Sequence, residues 1–529
     1  MDKQVIYRRR WAILSVLIVG LLAIVIDNTV LNVALKTIAD PRAGLGASQS
    51  QLEWAINSYT LVFAGLLFTF GVIGDRFGRK RLLMIGLALF GIASLLSAYA
   101  HSPDQLIAAR AAMGFGGAAV MPQTLSIISN VFEPAERPRA IGLWATAVGI
   151  GVATGPVLGG LLLSHFWWGS VFLINVPVTV LGVIAVAILV PESRNPDPGR
   201  VDYLGVLLSV AGLVLLVYGI VRGGDTSSWL RGDVVGPVLG GLAVLGVFAW
   251  HESRISHPSL DVRLFADRRL SASVGAIALL FFGMGGVFFF TTFYLQNVRG
   301  YTPLDAGLLT IPFAAGQLLM SPRSAGLVRR YGPKAVGATG MFVMAAALAG
   351  YALLGTATPI WVLGVLFAIQ GGGVGVAMPS ATSAVMDVLP RERAGAGSAL
   401  TNTSRQVGVA LGVAVLGSIL AEAYRSRLQP SLAAVPAAVR GTASQSIAAT
   451  QAAAQHLGAA GRGLIAPADA AFTDAMHVTA LVAALIALAG ALVVLRWMPG
   501  LTRGASAPEL AGEPADRGEM AVERAGVEG

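Results

Sequence analysis

Long apolar runs alternate along this chain with short charged segments, at a spacing set by membrane thickness. Residues 54 to 74 carry no charged side chain, and neither do residues 82 to 100. Each run approaches the ~20 residues that a helix needs to cross ~30 Å of hydrocarbon. Taken along the whole chain, such windows predict fourteen membrane spans, near residues 11–33, 54–74, 82–100, 105–130, 139–163, 169–190, 203–221, 234–250, 270–296, 305–323, 335–355, 360–386, 398–420 and 475–495. Two of the boundaries split longer apolar stretches, at Ser164–Gly169 and Gly355–Pro359. The expected fold class is an all-α polytopic membrane protein. Gly71 to Leu83 is then a short charged turn at a membrane face, where Arg76, Arg79, Lys80 and Arg81 outweigh Asp75. A short basic loop belongs on the cytoplasmic side. An even number of spans puts both termini there, and most of the 37 Lys and Arg residues fall in the segments assigned to that side.

Composition agrees and narrows the choice. The chain is 55% hydrophobic and 12% charged, about half the charged fraction of a soluble domain, so a soluble globular protein is excluded. Net charge +9 would suggest a nucleic-acid partner in a soluble chain. Here that charge sits in loops and reads as topology, so no nucleic acid is expected. The absence of cysteine rules out disulfides and thiol chemistry. The basic start MDKQVIYRRRW precedes an apolar run too long for a signal peptide and without an A-x-A-like site, which makes it an uncleaved first helix. No GxxxxGK[ST], H-E-x-x-H, His/Cys cluster or Ser/His/Asp arrangement is found. No catalytic residue, metal or cofactor is expected.

The chain also repeats. Gly114-Phe115-Gly116 through Met121-Pro122 returns as Gly371-Gly372-Gly373 through Met378-Pro379, an offset of 257, and Glu136-Arg137 recurs as Glu392-Arg393. The turn around Gly78 comes back near Arg330-Tyr331-Gly332, an offset of 254, with Arg329 where Asp75 would stand. An N-terminal six-helix bundle (1–190), an inserted helix pair (191–255) and a C-terminal six-helix bundle (256–498) account for the offset. An outer loop is expected at 425–473 and a disordered tail at 499–529. Transporters built from parallel repeats bind their cargo between the halves, near the midplane.

Few charges fall inside the spans. Asp27 lies sixteen residues beyond Trp11, ~24 Å along a helix at ~1.5 Å per residue, well inside the core. A carboxylate there is costly, so it should face the bundle interior as a proton or cation site, or serve as a structural acid satisfied by Asn28, Thr29 or Asn32. Arg110 is the charge inside the fourth span and cannot shed its proton. It is either a coupling charge or half of an ion pair that holds the bundle. Arg405, in the thirteenth span, poses the same question. Glu53, near an outer end, and Asp474 and His477 read as interfacial. Gly151, Gly155 and Gly159 share one helix face and allow close backbone approach, while Pro156 removes a donor. Substrate contact is expected from Met, Phe and Trp on cavity faces.

Several of these stretches resemble the major facilitator superfamily. Gly71, Asp75, Arg76, Gly78, Arg79 and Lys80 match its loop between helices two and three, G-x-L-a-D-r-x-G-r-[KR]. LIAARAAMGFGGAA, headed by Arg110, is similar to R-x-x-q-G-x-g-a-a, with Met113 in place of glutamine. DNTVLNVAL around Asp27 resembles the first-helix motif of the fourteen-helix drug:proton antiporters, with Lys36 in place of proline. Gly142, Gly151, Gly155, Pro156, Gly159 and Gly160 fit the antiporter signature g-x8-G-x3-G-P-x2-G-G. WWGSVFLINVP resembles W-R-W-x-F-x-I-N-V-P without its arginine, and Trp54 and Tyr59 resemble W-x-x-x-x-Y, with Asn57 in the region where cation exporters often carry an acid.

The resemblance implies the major facilitator fold in a bacterial inner membrane and export of drugs or other lipophilic molecules, cations among them. Protons entering through Asp27 and Arg110 would drive it. The loop at Asp75 would pair at the cytoplasmic face, against the start of span thirteen. A monomer among membrane lipids, working without a cofactor, is expected. The residues alone leave open an uptake symporter of a small metabolite or a lipid-handling protein on the same scaffold.

Overall fold

The structure is a computed structural model and describes residues 3–133, 136–194, 202–226, 228–255, 258, 261–388, 394–434, 436, 440–441 and 443–498. The tail 499–529 and the Glu392-Arg393 repeat lie outside them. Every element among the described residues is helical, with no strand. Long helices run as α1 (Lys3–Ala39), α2 (Gln49–Phe77), α3 (Arg79–Ala98), α4 (Pro103–Val131), α5 (Arg137–His165), α6 (Asn175–Leu189), α7 (Tyr203–Thr226), α8 (Gly232–Glu252) and α9 (Arg268–Phe293). The helix Ile311–Gly350 breaks at Gly332 (φ 81°) into α10 (311–331) and α11 (333–350). Then come α12 (Ile360–Val388), α13 (Ala394–Leu428) and α14 (Ile465–Trp497). Twelve helices among the described residues are long and apolar enough to cross a membrane. With α2, bent by 52° between Leu67 and Thr69, and α5, whose apolar part is Ile150–His165, the arrangement is compatible with fourteen spans.

Two expectations change. The charged segment Gly71–Leu83 is helical on both sides of Gly78, whose φ of 119° makes the turn alone. Only glycine takes that backbone angle cheaply. The outer loop 425–473 is shorter than expected, since α13 runs on to Leu428 and α14 begins at Ile465. A short helix, Ile447–His456, lies between them.

The repeat is visible in packing. On α4, a Cβ at Gly114 would meet the Tyr59 carbonyl at 2.5 Å, and one at Gly116 the Gly86 carbonyl at 2.9 Å. On α12, Gly371 seats against the Phe313 carbonyl and Gly373 against that of Gly340, also at 2.9 Å. Gly86 and Gly340, like Tyr59 and Phe313, are 254 apart. Each half therefore presses three helices together through the same glycine seats, with no side chain between the backbones.

α7 crosses the seam between the halves. Its Val210 packs at Gly65 of α2, while its far end meets α13, where Ser418 donates to the Ile220 carbonyl at 3.1 Å. On the face away from Gly78 and Gly332 the halves touch at three further places. Gly160 of α5 seats against Leu304 and the Pro303 carbonyl, and Gly307 against that of Pro156. Lys36 of α1 donates to the carbonyl of Gln296, in the π-helical turn that ends α9, and Gln296 Nε2 returns a bond to Val33 at 2.8 Å. The Glu53 carboxylate packs at Gly417 of α13. Glu53 is 2% exposed, so its expected interfacial place is corrected to a buried helix contact. On the basic face, ion pairs among the described residues stay on one side of the seam: Arg10 with Glu136 at 2.8 Å, Arg79 with Asp75 at 2.8 Å, and Arg81 with Glu192 at 3.6 Å.

Candidate functional site: a cavity between the halves and a buried ion pair beside it

The central cavity holds about 1390 Å3 of empty space, open solvent at its mouth included. From the N-terminal half, α1 turns Val25, Asn28, Thr29 and Asn32 toward it, a spacing of i, i+3, i+4 and i+7 that marks one helix face. From the C-terminal half come Phe281, Met284, Phe288, Phe313 and Phe367. Phe288 stands edge-on to Phe313 at 5.2 Å and stacks on Phe367 at 6.0 Å. The expected Met and Phe contacts are present, whereas no tryptophan lines the cavity. Among the described residues two guanidinium groups reach its wall, Arg110 from α4 and Arg405 from α13, and no Asp or Glu does.

Asp27 is fully buried and off the cavity-facing stripe of α1. It faces the interior of the N-terminal bundle and does not line the cavity itself; Arg110, its partner, does. Arg110 Nη1 donates to one oxygen and Asn175 Nδ2, from α6, to the other at 3.1 Å. Both partners are donors, and they take two of the roughly four acceptor sites of the carboxylate. Of the neighbours expected to satisfy a structural acid, Asn28 bonds instead to the Tyr59 hydroxyl at 3.1 Å and Thr29 to the Ile26 carbonyl at 3.0 Å. Arg110 is held in turn by the Ala55 carbonyl at 3.1 Å and by the Tyr59 ring, 4.4 Å from its centroid. It also meets Met113, the residue that stands in for the motif's glutamine, at 3.7 Å.

The glycines of α5 wrap this network. Gly151 packs at Val25, Gly155 at Thr29, where an added Cβ would fall 1.9 Å from the hydroxyl, and Gly159 at Val30. Gly160 turns away, to the C-terminal half, and Gly142 lies near the start of the helix. One motif thus lets α5 touch both α1 and the opposite half.

At the basic face, Asp75 pairs with Arg79, one turn on; the expected contact with the start of α13 falls on residues 394–399, outside those whose side chains are described. The turn is latched instead to the segment after α6. Glu192 accepts from the Lys80 amide at 3.1 Å, Ser193 from the Arg79 amide at 3.0 Å, and Lys80 Nζ reaches the Ala187 carbonyl at 2.7 Å. Gly71 packs at Pro122, and Arg76 is exposed, its guanidinium 5.6 Å from the Phe77 ring. Asp474 keeps an exposed ion pair with Arg427 at 2.7 Å, and His477 bonds to the Leu354 carbonyl at 2.6 Å. In the inserted pair, His251 meets Asp202 at 3.1 Å. Burial pushes the Asp202 carboxyl up, and the Gly205 amide and His251 outweigh it, holding the group below its ordinary value.

Sequence reasoning missed two residues. Asn175 sits in the I-N-V-P motif, which signalled its presence and not its partner. Glu192 carried no motif at all, and only the fold brings it to the turn.

Residues 17–413 match the model of the Major Facilitator Superfamily. Among curated proteins, the multidrug efflux pump LfrA of Mycolicibacterium smegmatis is 36% identical over 92% of this chain and 96% of its own. The methyl viologen resistance protein SmvA of Salmonella typhimurium is 35% identical over 80% of this chain and 84% of its own. The tetracenomycin C resistance and export protein of Streptomyces glaucescens is 31% identical over 78% and 76%. Among solved structures, an inward-facing bacterial homologue of the lysosomal transporter Spinster superposes with a TM-score of 0.63 at 18% identity, covering 93% of this chain and 98% of that one.

Proposed function

Because the chain belongs to the Major Facilitator Superfamily, and is a multi-span transporter rather than an enzyme, we propose that it exports drug-like molecules from a bacterial cytoplasm across the inner membrane, in exchange for protons. Its efflux relatives support the direction of transport. The observation that carries the coupling is the Asp27–Arg110 pair, sealed beside the cavity with Arg110 as the one group that touches both. Both termini, and the basic face with Gly78 and Gly332, lie in the cytoplasm, where the positive-inside rule puts them. Among the described residues α5, the Gln296 turn and α13 join the halves on the outer face, and the ion pairs of the basic face stay on one side of the seam, which supports an inward-open reading of this conformation.

In the outward-open state a proton reaches Asp27 and loosens Arg110; in the inward-open state the proton leaves and the pair re-forms. The α5 glycines let α1 shift against α5 without lifting a side chain over a barrier. A drug in the cavity acts on Arg110 and so on Asp27, which couples the two cargoes by competition rather than contact. One proton crossing 100 mV supplies ~2.3 kcal/mol, enough for a severalfold drug gradient.

Inside-out vesicles from an efflux-deficient host carrying the chain test this. Acidifying their interior should drive drug inward, a protonophore should abolish it, and Asp27→Asn should remove it with expression intact. Full gradient-driven uptake by that variant refutes the coupling, and drug accumulation by intact expressing cells refutes the direction.

A further inference from the structure

The two arginines of the cavity are not alike. Arg110 has a carboxylate, a carbonyl and an aromatic face around it. Arg405 makes no ion pair among the described residues, and the contact it does show is with the Phe281 ring, 5.7 Å from the centroid. It stands eleven residues into α13, ~16 Å from the start of that helix. Arg405 is part-exposed on the cavity wall, and because a guanidinium cannot neutralise itself by losing its proton, it presents a standing positive charge to whatever enters. Among the described residues the cavity wall offers no acid: apart from the two arginines its polar members are Asn, Thr and Gln side chains, and the rest is apolar and aromatic. Asp27 is already occupied, on the far side of Arg110.

We propose that Arg405 is the counter-ion of the cargo, and that the cavity takes amphiphilic aromatic anions, bearing a carboxylate, sulfonate or acidic phenol, in preference to cations. The acidic group pairs with the planar fork of Arg405, which matches two oxygens at once. The ring system lies among Phe281, Phe288, Phe313 and Phe367. A cation entering the same space meets two positive groups and no exposed acid. This rests on the export reading and names the chemical class that site accepts.

Three fluorescent probes separate the ideas on the purified full chain: anilinonaphthalene sulfonate, the uncharged N-phenylnaphthylamine with the same rings, and cationic ethidium. The wild type should bind the sulfonate at least ~10-fold more tightly than the uncharged analogue, one good charge-assisted contact, and ethidium least. Arg405→Gln should remove the sulfonate advantage and leave N-phenylnaphthylamine within ~2-fold, and Arg405→Lys should restore part of it. Equal affinity of the wild type for the sulfonate and the uncharged probe overturns the proposal, as does tighter binding of ethidium. So does an unchanged sulfonate advantage in Arg405→Gln. The wild-type comparison decides the matter even if that variant melts early. Vesicle transport keeps the two readings apart. Export of ethidium without anion selectivity leaves the exporter standing and removes the anion site; charge-selective binding without gradient-driven transport does the reverse.

Discussion

The two halves share their glycine seats and differ in what those seats surround. At the offset of 257 that relates α4 to α12, Arg110 falls on Phe367. The N-terminal half therefore encloses an ion pair inside its own bundle, and the C-terminal half presents aromatic rings and a lone guanidinium to the cavity. Both turns keep a positive-φ glycine, Gly78 and Gly332, while Asp75 in one is Arg329 in the other. The shared part is what close packing needs in either half. The divergent part is polar, so the residues proposed to couple fall in one half and most of the aromatic lining of the cavity in the other.

The strongest way to break this comparison is to strip the ion pair one partner at a time. Asp27→Asn and Arg110→Gln should each abolish efflux, and the arginine left alone in Asp27→Asn should cost about 3–5 kcal/mol of stability, the usual penalty for an unpaired buried charge. The double variant should recover most of the thermal stability in detergent and none of the transport. If transport returned with stability, the pair would only be holding the bundle.

Next in size are the twin seats. Gly371→Ala drives a methyl to 1.9 Å from the Phe313 carbonyl, and Gly114→Ala to 2.5 Å from that of Tyr59. Each should cost ~1–3 kcal/mol through overpacking, read as a lower melting temperature. Gly240→Ala in α8, where nothing lies within 4 Å, should be neutral or slightly stabilising. Equal effects at all three would deny that the halves are pressed together through these positions.

What could be read in the sequence follows from range. Helix count, the repeat and the glycine face of α5 are local patterns whose period is their meaning, and each has its counterpart in the fold. Asp27 and Arg110 were legible as costly charges, but not that they meet, because a contact 83 residues apart depends on how α1 and α4 are rotated. The same rotation decides that Asn28 and Thr29 face the cavity while Asp27 does not. Glu53 read as interfacial because it lies near the outer end of its span, and in the fold it is buried, with α13 packed across it.

A smaller effect is expected at Asn175. Asn175→Leu removes one of the two donors to Asp27, a hydrogen bond to a charged group worth ~1.5–3 kcal/mol. Initial rates of efflux in vesicles should fall ~10-fold, since part of that energy is regained by the Arg110 contact that remains. Wild-type rates in this variant would mean that Arg110 alone sets the state of the carboxylate.

The smallest effect sharpens the comparison between the two turns. In the N-terminal half a carboxylate, Glu192, sits at the start of α3, whereas in the C-terminal half Gly337 of α11 packs against the Met498 sulfur, 3.3 Å from where its Cβ would be. One latch carries a full charge, and the other is uncharged, with the Met498 sulfur beside the Ser380 hydroxyl, which donates to the Pro333 carbonyl at 2.7 Å. Glu192→Gln should cost only ~0.3–1 kcal/mol, the worth of an anion at an exposed helix start. The loss should fade as salt is raised toward ~1 M, where screening acts within ~3 Å. A cavity-forming Met498→Ala should instead lower the melting temperature equally at low and high salt, because apolar packing is not screened by ions. Melting curves of both variants across a salt series read the contrast directly, and parallel salt responses would show that the two turns are held in the same way.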